Sequence, residues 1–493
     1  MPVSDYEVVI GLEVHCQLDT RTKMFSACGY EIGAPPNTRT DPYTWGLPGT
    51  LPVPNRAAVD YALRLAVALG CEIQPVSRWA RKHYFYPDLP KGYQITQSDQ
   101  PYALGGALEI PVDGGGSKRV HLQRIHLEED AGKNTHDASD THSLVDYNRA
   151  GAPLVEIVSL PELRSAAEAA AYMRELRTLV RYLGISQANM EEGTLRCDAN
   201  VSLRPVGSEA LGTRCEIKNL NSFKFLEAAI LAEVRRQVDL LERGEVVVQS
   251  TLSYDPSRDR TKVMRSKEEA ADYRYFPEPD MPPLQIDAAW IAEVRANLPE
   301  LPWERYRRFL GLGLSDYDAG VLCAERELGD YFDQAFARAR GIANEGDEPA
   351  PAAKPLCNWI TQELLALLNA EGLSIASCPV SPEALAEIVD LISTQTISGR
   401  AAKAVLATVF EEGLPPVEIV ERDGHRQVSD LGAIIAMVRE VMDEHPAQLE
   451  QLLAGKDKVR GFFVGQVMRR SSGQANPQLV QQAIDHLLGE RAQ

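Results

Sequence analysis

The chain has no long apolar run, few cysteines and fewer basic than acidic residues. No apolar stretch reaches the roughly 18 to 20 residues that cross a bilayer. Residues 1–6 lack the basic and apolar segments of a secretory signal. The eight cysteines are scattered over 493 residues without a C-x-x-C pair, which favours reduced thiols. We therefore expect a cytoplasmic protein that does not enter a membrane.

The charge balance excludes some partners and leaves others open. The formal net charge is −19, from 51 basic and 70 acidic residues, which argues against a protein coated in nucleic acid. Net charge governs solubility and steering rather than local sites, however, so a polyanion can still bind one basic patch. Apolar residues make up 44% and charged residues 25% of the chain, as in ordinary globular proteins. The length indicates two to four domains.

Alternating polar and apolar residues predict strands in the first half of the chain. The alternation covers residues 6–15, 120–130, 196–203 and 214–218. One face of each segment is apolar, and the other carries Glu, His, Asp, Asn, Arg or Lys. Strands with one apolar and one polar face predict a largely antiparallel sheet. These polar residue types are those that bind metals and phosphates, rather than a random mixture for solvent.

Helical signals interrupt the strands and then replace them. A capping box at Ser165–Glu168 begins one helix, which Gly184 ends, and a second helix runs from Phe223 to Arg243. Beyond the Pro-rich segment 277–283 the apolar residues repeat with a period of 3.6. We expect an α+β protein with a sheet-containing part at 1–292, an all-helical part at 293–400 with a flexible insertion at 341–355, and a small helical tail at 401–493.

Generic nucleotide and hydrolase motifs are absent. Both Gly-Lys pairs, Gly132-Lys133 and Gly455-Lys456, lack the remaining residues of a phosphate-binding P-loop. Gly311-Leu-Gly313 has no third glycine at position 316, and neither G-x-S-x-G nor H-E-x-x-H occurs. Such motifs leave the function open.

Carboxylates and histidines gather at the ends of the predicted strands. Glu13 and His15 flank one residue, residues 126–130 read His-Leu-Glu-Glu-Asp, and Glu156 follows. Mg²⁺ binds a few carboxylate oxygens and keeps positions for water and phosphate, so this pattern fits Mg²⁺ held between the protein and a nucleotide. Periodicity alone favours the alternative, which is a set of solvated strand faces with local ion pairs.

Longer motifs carry a resemblance that runs along nearly the whole chain. The most specific segments are Gly11–His15 with Thr22–Phe25, Tyr84–Ile95, Leu127–Lys133, Asp146–Glu156, Gly193–Ser202, Glu216–Ser222, Met264–Glu269 with Asp272–Pro277, and Gly461–Met468 with Ala475-Asn-Pro477. In these segments the chain resembles the B subunits of bacterial aspartyl/glutamyl-tRNA(Asn/Gln) amidotransferases. Only the insertion around 341–355 falls outside the resemblance.

The resemblance implies a cradle domain, a helical domain and a helical tail in a carbon–nitrogen ligase. Such an enzyme uses ATP to phosphorylate the side-chain carboxylate of Glu-tRNA(Gln) or Asp-tRNA(Asn). Ammonia then displaces phosphate, which gives Gln-tRNA(Gln) or Asn-tRNA(Asn). The ammonia comes from glutamine hydrolysed by a partner A subunit, and a small C subunit completes the heterotrimer. Phosphoryl transfer depends mainly on positioning and charge neutralisation, which Mg²⁺ with nearby Lys and Arg would supply.

The resemblance also implies roles for individual residues. The candidate metal ligands, which are also catalytic candidates, are Glu13, His15, Glu128 and Glu156. Histidine is an unusual ligand for Mg²⁺, so His15 is expected to act through water or to tolerate Mn²⁺. The remaining candidates act near phosphate or carboxylate, with surface ion pairing as the alternative for the cations: Lys133, Arg149, Arg214, Glu216 and Lys218. The basic cluster of the tail is expected to bind tRNA through Lys456, Lys458, Arg460, Arg469 and Arg470.

One loop departs from the resemblance. Many relatives carry a four-cysteine zinc site built from Phe-Cys-x-Cys and Cys-Pro-x-Cys elements. Here Phe25–Cys28 reads Phe-Ser-Ala-Cys and Asp41–Thr44 reads Asp-Pro-Tyr-Thr, so Cys28 is a degenerate remnant. One thiolate, one carboxylate and two hydroxyls make a poor tetrahedral zinc site. We expect no zinc, and a loop that folds around Tyr43 and Trp45.

Two other functions compete with the one that the resemblance implies. A non-catalytic tRNA-binding scaffold would leave the activity wholly to a partner, and it would not need Glu13, His15, Glu128 and Glu156 to converge. A free-standing ATP-dependent amide ligase would act on a small molecule, but the basic tail and the lack of a glutaminase nucleophile motif weigh against it. The sequence does not decide which of the two aminoacyl-tRNAs is used.

Overall fold

The computed structural model describes residues 5–135, 141–266, 272–342, 353–428, 430–471 and 473–491. The chain forms two units, Met1–Pro302 and Trp303–Gln493. Most of the predicted flexible insertion at 341–355 lies outside the described residues, and its two ends belong to helices. Within the described ranges, none of the helices combines the length and the apolar character that a bilayer span requires.

The first unit contains the strands. In chain order they are β1 (Tyr6–Gln17), β2 (Glu72–Ile73), β3 (Val76–Ser77), β4 (Ala80–His83), β5 (Tyr93–Thr96), β6 (Ala103–Leu104), β7 (Ala107–Pro111), β8 (Ser117–Glu129), β9 (Lys133–Thr135), β10 (Leu144–Asp146), β11 (Pro153–Ser159), β12 (Leu195–Pro205), β13 (Cys215–Leu220), β14 (Ser250–Asp255), β15 (Arg260–Ser266), β16 (Phe276–Pro277) and β17 (Leu284–Gln285). Its helices are α1 (Arg56–Ala68), α2 (Ala166–Tyr182), α3 (Phe223–Glu242) and α4 (Ala288–Ala296).

A 13-stranded sheet contains most of these strands, and its main path runs β15-β14-β13-β12-β1-β11-β8-β5-β4-β16, with β2, β6 and β7 off this path. Strands β9 with β10 and β3 with β17 form two separate two-stranded sheets. Among the described ladders, only β13 and β14 pair in parallel, across the helix α3 that connects them. The expected α+β class with a largely antiparallel sheet is therefore confirmed. Strand β1 lies inside the sheet, with β11 on one side and β12 on the other.

The alternation in β1 determines which side chains face the core. Ile10, Leu12 and Val14 are buried in the apolar interior, because residues two apart share one face of a strand. Glu13 and His15 lie on the opposite face. The same period in β8 and β12 places their charged residues on that second face, so the sheet presents one apolar and one polar surface.

Both helices that the sequence predicted in the first unit, α2 and α3, are present and begin at the predicted positions. The N-terminus of α2 shows how the chain begins such a helix. The hydroxyl of Ser165 accepts from the backbone N–H of Glu168 at 3.1 Å, and the Glu168 carboxylate accepts from the N–H of Arg164 at 2.7 Å. The second contact caps the residue before the helix rather than Ser165 itself, which differs from a strict capping box. Gly184, with φ of +64°, takes the left-handed conformation that ends the helical segment.

The second unit is helical. Its helices are α5 (Pro302–Gly311), α6 (Asp316–Cys323), α7 (Arg326–Ile342), α8 (Ala353–Asn358), a π-helical turn (Trp359–Leu364), α9 (Leu365–Glu371), a 3₁₀ turn (Ile375–Ser377), α10 (Pro382–Ser393), α11 (Gly399–Glu412), α12 (Pro416–Arg422), α13 (Leu431–Glu444), α14 (Pro446–Leu453), a 3₁₀ turn (Asp457–Val459), α15 (Arg460–Arg470) and α16 (Pro477–Arg491).

Two apolar cores divide these helices. The first extends from Phe309 to Val420 and includes Val405 and Leu406 of α11. The second extends from Ile434 to Leu487 and is built by α13 to α16. Helices α11 and α12 therefore belong with the preceding core, although the sequence predicted that the tail begins at residue 401. We propose a boundary between 423 and 430, where the buried residues of one core end and those of the next begin.

Candidate functional site

Three neighbouring strands bring the predicted carboxylates and histidine together. His15 on β1 pairs with Glu156 on β11, and Glu156 pairs with His126 on β8. Side chains of directly paired residues project to the same face of a sheet. Glu128, two residues after His126, shares that face by the alternation of β8. The register of the sheet thus assembles one cluster from segments that are far apart in the chain.

The cluster is tight enough to hold a cation. One ligand atom from each of His15, Glu128 and Glu156 lies within 4.8 Å of the other two. His15 Nε2 lies 3.3 Å from Glu156 Oε2 and 3.8 Å from Glu128 Oε1. His126 Nε2 lies 3.4 Å from the same Glu156 oxygen and 3.8 Å from Glu128 Oε2. Two imidazoles and two carboxylates therefore surround one point above the sheet.

Burial strengthens the electrostatic interactions within this cluster. The exposed fraction is 1% for His126, 2% for Glu128 and 8% for Glu156. Burial alone would lower the pKa of His126, but Glu156 and Glu128 outweigh it and raise the pKa to about 9. Burial would raise the pKa of Glu156, yet His126 and His15 hold it well below its usual value. Charge of both signs is thus retained where solvent is largely excluded.

The donor set fits a divalent cation. His126 Nε2 lies within ion-pair distance of both carboxylates, and its buried Nδ1 has no hydrogen-bond partner among the described residues. Carboxylate oxygens are the preferred ligands of Mg²⁺, whereas imidazole nitrogens suit transition metals and can also act through bound water.

Glu13 lies next to this cluster but takes a different partner. The side-chain amide of Asn200 donates to Glu13 Oε1 at 2.9 Å. Burial raises the pKa of Glu13, and the neighbouring Glu156 and Glu216 carboxylates raise it further. Among the four predicted ligands, Glu13 is the one that the three-residue cluster does not include. It lines the same cavity and stands on the same strand face.

A cavity of about 370 Å³ opens above the cluster. Two of the predicted residues, Glu216 and Lys218, line this cavity. Lys218 Nζ lies 2.7 Å from Glu216 Oε1 and 2.7 Å from Asp198 Oδ2. Burial would lower the pKa of Lys218, but these two carboxylates raise it well above its usual value. The remaining lining is mostly polar: Lys82, Thr96, Ser98, Arg124, Arg196, Asn219, Tyr273 and Tyr275.

Several of these lining residues were not predicted. Arg196 and Asp198 belong to the polar face of a segment whose alternation is plain in the sequence, and His126 stands on the polar face of β8. The strand pattern could therefore have included these three. Lys82 gave no such signal, because β4 is only four residues long and reads Ala-Arg-Lys-His.

The other predicted cations lie elsewhere. Lys133 and Arg149 line a second cavity, of about 520 Å³, and Arg149 donates to the carbonyls of Ala131 and Gly132 at 3.0 and 2.6 Å. Arg214 is exposed and precedes β13 by one residue. It is not among the residues that line the described cavities, so the structure does not bring it to the cluster.

A third cavity, of about 1000 Å³, shares four lining residues with the first, namely Lys82, Lys218, Asn219 and Tyr273. Its wall is aromatic, with Tyr84, Phe85, Tyr86 and Phe276 in addition. Phe85 is 88% exposed, which is unusual for a large apolar side chain. Flat rings with accessible faces suit the stacking of a nucleobase.

The loop expected to lack zinc is held by hydrogen bonds at the positions of the missing cysteines. Asp41 accepts from the N–H and the hydroxyl of Thr44 at 2.8 and 2.7 Å. The buried ammonium of Lys23 donates to the same hydroxyl at 3.3 Å. Tyr43 is buried, with the Lys91 ammonium 4.2 Å from its ring centre. Trp45 packs edge-on against Tyr147 with a centroid distance of 4.7 Å.

The basic cluster of the tail divides into paired and unpaired cations. Arg460 pairs with Asp485, and Arg470 lies 2.9 Å from Glu440 and 2.7 Å from Glu444. Lys456, Lys458 and Arg469 are exposed, and in the part of the chain that the structure describes no carboxylate lies within ion-pair distance of them. Lys456 and Lys458 lie at the 3₁₀ turn Asp457–Val459, and Arg469 lies near the end of α15.

Comparison with known proteins identifies relatives over the full length of the chain. The model of the GatB/GatE catalytic domain matches residues 8–292, and the model of the GatB domain matches residues 342–488. The chain is 53% identical to the B subunit of the aspartyl/glutamyl-tRNA(Asn/Gln) amidotransferase of Halorhodospira halophila, over 97% of this chain and 98% of that protein. It is 49% identical to the protein of the same name from Carboxydothermus hydrogenoformans, over 97% and 98%.

Proposed function

The chain belongs to the family of B subunits of the aspartyl/glutamyl-tRNA(Asn/Gln) amidotransferase, and we propose that its polar cavity is where the substrate is activated and amidated. The chain is thus a subunit of a tRNA-dependent amidotransferase, a carbon–nitrogen ligase with glutamine as amide donor. The cavity would hold ATP beside the aminoacyl end of Glu-tRNA(Gln), Asp-tRNA(Asn) or both. The observation that carries this proposal is the convergence of His15 with the buried carboxylates of Glu128 and Glu156.

The metal would be held by Glu128 and Glu156, with His15 and His126 beside it. Mg²⁺ held there would supply positive charge to neutralise the phosphates of the nucleotide. Glu13, hydrogen-bonded to Asn200, lines the same cavity and would add negative charge beside the metal. The two buried carboxylates support this assignment, because carboxylate oxygens are the ligands that Mg²⁺ prefers.

The cations of the cavity neutralise the charge that accumulates during phosphoryl transfer. Lys218, Lys82 and Arg124 line the wall around the cluster. An oxygen of the substrate side-chain carboxylate attacks the γ-phosphorus, the bond to the bridging oxygen breaks, and ADP leaves with the electron pair. Two anions approach one another in this step, so preorganised cations lower the barrier without covalent participation of the protein.

Amidation follows in the same cavity. The lone pair of ammonia attacks the acyl carbon, the carbon–oxygen bond to phosphate breaks, and the nitrogen releases a proton to solvent. Burial of the cavity floor protects the acyl phosphate from water. The ammonia would come from glutamine hydrolysed by an A subunit, with a small C subunit completing a heterotrimer. A cytoplasmic location follows from this role, since aminoacyl-tRNAs are used there.

The aromatic cavity and the tail would bind the remaining parts of the substrates. A wall of Phe85, Tyr86 and Phe276 beside the phosphate-binding cations suits an adenine ring. Lys456, Lys458 and Arg469 of the tail are available for phosphates of the tRNA, whereas Arg460 and Arg470 already pair with carboxylates. We assign the second unit, above all its second core, to contact with the body of the tRNA.

The test is acyl-phosphate formation by the reconstituted heterotrimer. ATP would be supplied with Glu-tRNA(Gln) in one reaction and with Asp-tRNA(Asn) in another, and hydroxylamine would trap the activated acid. We expect ATP cleavage that depends on at least one of the charged tRNAs. ATP cleavage that does not depend on either charged tRNA, or that persists when Glu128 is replaced, would favour a scaffold role with the activity in a partner.

A further inference from the structure

Arg196 lies at the junction between the first and second cavities. It stands on β12 opposite His15 of β1. It lines the cavity above the carboxylate cluster, and it also lines the second cavity with Lys133 and Arg149. Asn219, which takes a left-handed backbone with φ of +60°, is the other residue common to both linings. Groups that enter from the two cavities must meet beside these residues.

The guanidinium of Arg196 is held firmly on one side. Its Nη2 donates to Asp130 Oδ2 at 2.8 Å. The amide of Gln17 donates to the same oxygen at 2.6 Å, and Arg149 Nε lies 3.7 Å away. The other oxygen of Asp130 accepts from the N–H of Ala131 at 2.9 Å. Asp130 is 4% exposed, so this anchor is buried and leaves the arginine little freedom to turn.

The guanidinium keeps a donor that this anchor does not use. Arg196 Nε is buried and finds no hydrogen-bond acceptor among the residues that the structure describes. A buried donor without a partner costs free energy, and arginine presents its donors in a planar fork that matches the two oxygens of a carboxylate. An anchored arginine that retains an unused donor, and whose side chain is 29% exposed and lines two cavities, is suited to bind an anion there.

We propose that Arg196 binds the side-chain carboxylate of the aminoacyl group that is to be activated. This inference rests on the proposed function and specifies one substrate contact within it. The phosphates are served by the metal cluster and by Lys218 and Lys82, on the side of the first cavity. The carboxylate has to reach the γ-phosphorus from another direction, and Arg196 holds the position between that cluster and the second cavity.

The contact would serve the chemistry as well as the binding. The guanidinium offsets the repulsion between the carboxylate and the γ-phosphate, and it orients one carboxylate oxygen for attack while holding the other. When the oxygen–phosphorus bond forms and ADP leaves, the bound oxygen becomes the carbonyl oxygen of the acyl phosphate. The same donors then remain next to that oxygen as ammonia attacks the acyl carbon.

The test uses Arg196→Gln and Arg196→Lys in the full heterotrimer. Arg204→Gln is the matched control, since Arg204 stands on the same strand and pairs with Glu7 outside the cavity. Single-turnover acyl-phosphate formation should fall about 100-fold in Arg196→Gln, and Arg196→Lys should recover only part of it because the planar fork is lost. The dissociation constant of a non-hydrolysable ATP analogue with Mg²⁺ should stay within about twofold, as should glutamine hydrolysis by the partner.

Binding of charged and uncharged tRNA supplies a second readout. The native complex should prefer the aminoacyl-tRNA, and Arg196→Gln should lose that preference while binding uncharged tRNA as before. Equal weakening of ATP-analogue binding would overturn the inference by assigning Arg196 to phosphate. Native activity in Arg196→Gln, or an equal loss in Arg204→Gln, would also overturn it. Failure of the native complex to form any acyl phosphate would instead contradict the proposed function.

Discussion

The polar face of the sheet and the helical tail use charged residues in opposite ways. In the first unit, Glu128 and Glu156 are buried, and each lies within 4 Å of the buried His126, where little solvent can screen their charges. In the tail, Arg460 and Arg470 lie at the surface and pair with carboxylates, while the interior is apolar. Burying a charge costs free energy, whereas an exposed ion pair contributes little to the free energy of unfolding. We therefore expect substitutions on the polar face of the sheet to affect mainly activity, and substitutions in the helical unit to affect mainly stability.

The largest effect is expected from Glu128→Gln in the sheet. Removing one charge of the metal cluster should reduce acyl-phosphate formation about a thousandfold, or roughly 4 kcal/mol in the barrier. The melting temperature should change little, because the substitution removes the repulsion between Glu128 and Glu156 together with the attraction of Glu128 to His15 and His126. Glu109→Gln, on an exposed position of β7, is the control and should change neither. Normal activation in Glu128→Gln would show that the cluster is structural.

In the helical unit we expect the opposite result, in which a substitution lowers stability but leaves the activity of the folded protein largely intact. Phe332 is fully buried, with ring centres 4.9 Å from Phe309 and 5.8 Å from Phe336. Phe332→Ala should lower the free energy of unfolding of this unit by about 3–5 kcal/mol, and chemical denaturation measures it. Tyr317→Ala is the control, since Tyr317 is 78% exposed, and should cost less than about 0.5 kcal/mol. If Phe332→Ala reduced the activity of folded protein at low temperature as strongly as Glu128→Gln, the contrast would fail.

A smaller effect is expected when the unpaired cations of the tail are removed. The triple variant Lys456→Gln, Lys458→Gln, Arg469→Gln should weaken tRNA binding about tenfold near 0.1 M salt and reduce the salt slope by about 3. Arg422→Gln serves as control, because Arg422 pairs with Glu412 on α11. An unchanged salt slope in the triple variant would assign these residues to subunit contacts.

The smallest effect concerns the loop that contains Cys28. Asp41, Thr44 and Lys23 are linked by hydrogen bonds, so the loop should need no metal. We expect substoichiometric zinc in the purified chain by elemental analysis, and no change in melting temperature for Cys28→Ser or after treatment with a chelator. A full equivalent of tightly bound zinc would show that other residues replace the missing cysteines.

Strand patterns predicted more of the site than helical patterns predicted of the domains. A period of two states which residues of one strand share a face, so the alternation places Glu13 with His15, and His126 with Glu128, whereas the resemblance grouped the two pairs. The same pattern overextended at Arg214, because alternation does not show where a strand ends. The period of 3.6 residues marks α11 as amphipathic but does not state which core it joins. The predicted start of the tail at residue 401 therefore falls within a helix that packs in the preceding core.

The sequence did not predict which polar residues would be buried or which distant segments would meet at the cavity. Nothing in the order of residues brings Lys82 from a four-residue strand to the wall of the cavity. The alternation placed His126 on the correct face, yet its burial and its approach to Glu156 follow from how β8 packs. The junction role of Arg196 depends on two cavities that only the assembled sheet creates.

The position of β1 inside the sheet affects how the enzyme loses activity. Its backbone is hydrogen-bonded to β11 on one side and to β12 on the other, so His15 cannot move away by fraying. Amides of β1 should exchange with deuterium only through openings that disrupt both ladders, and they should be among the slowest of the first unit. Sites built on loops commonly fail in mild denaturant before the rest of the protein unfolds. Here, loss of activation should coincide with loss of the sheet, so catalysis itself would report global unfolding of the first unit.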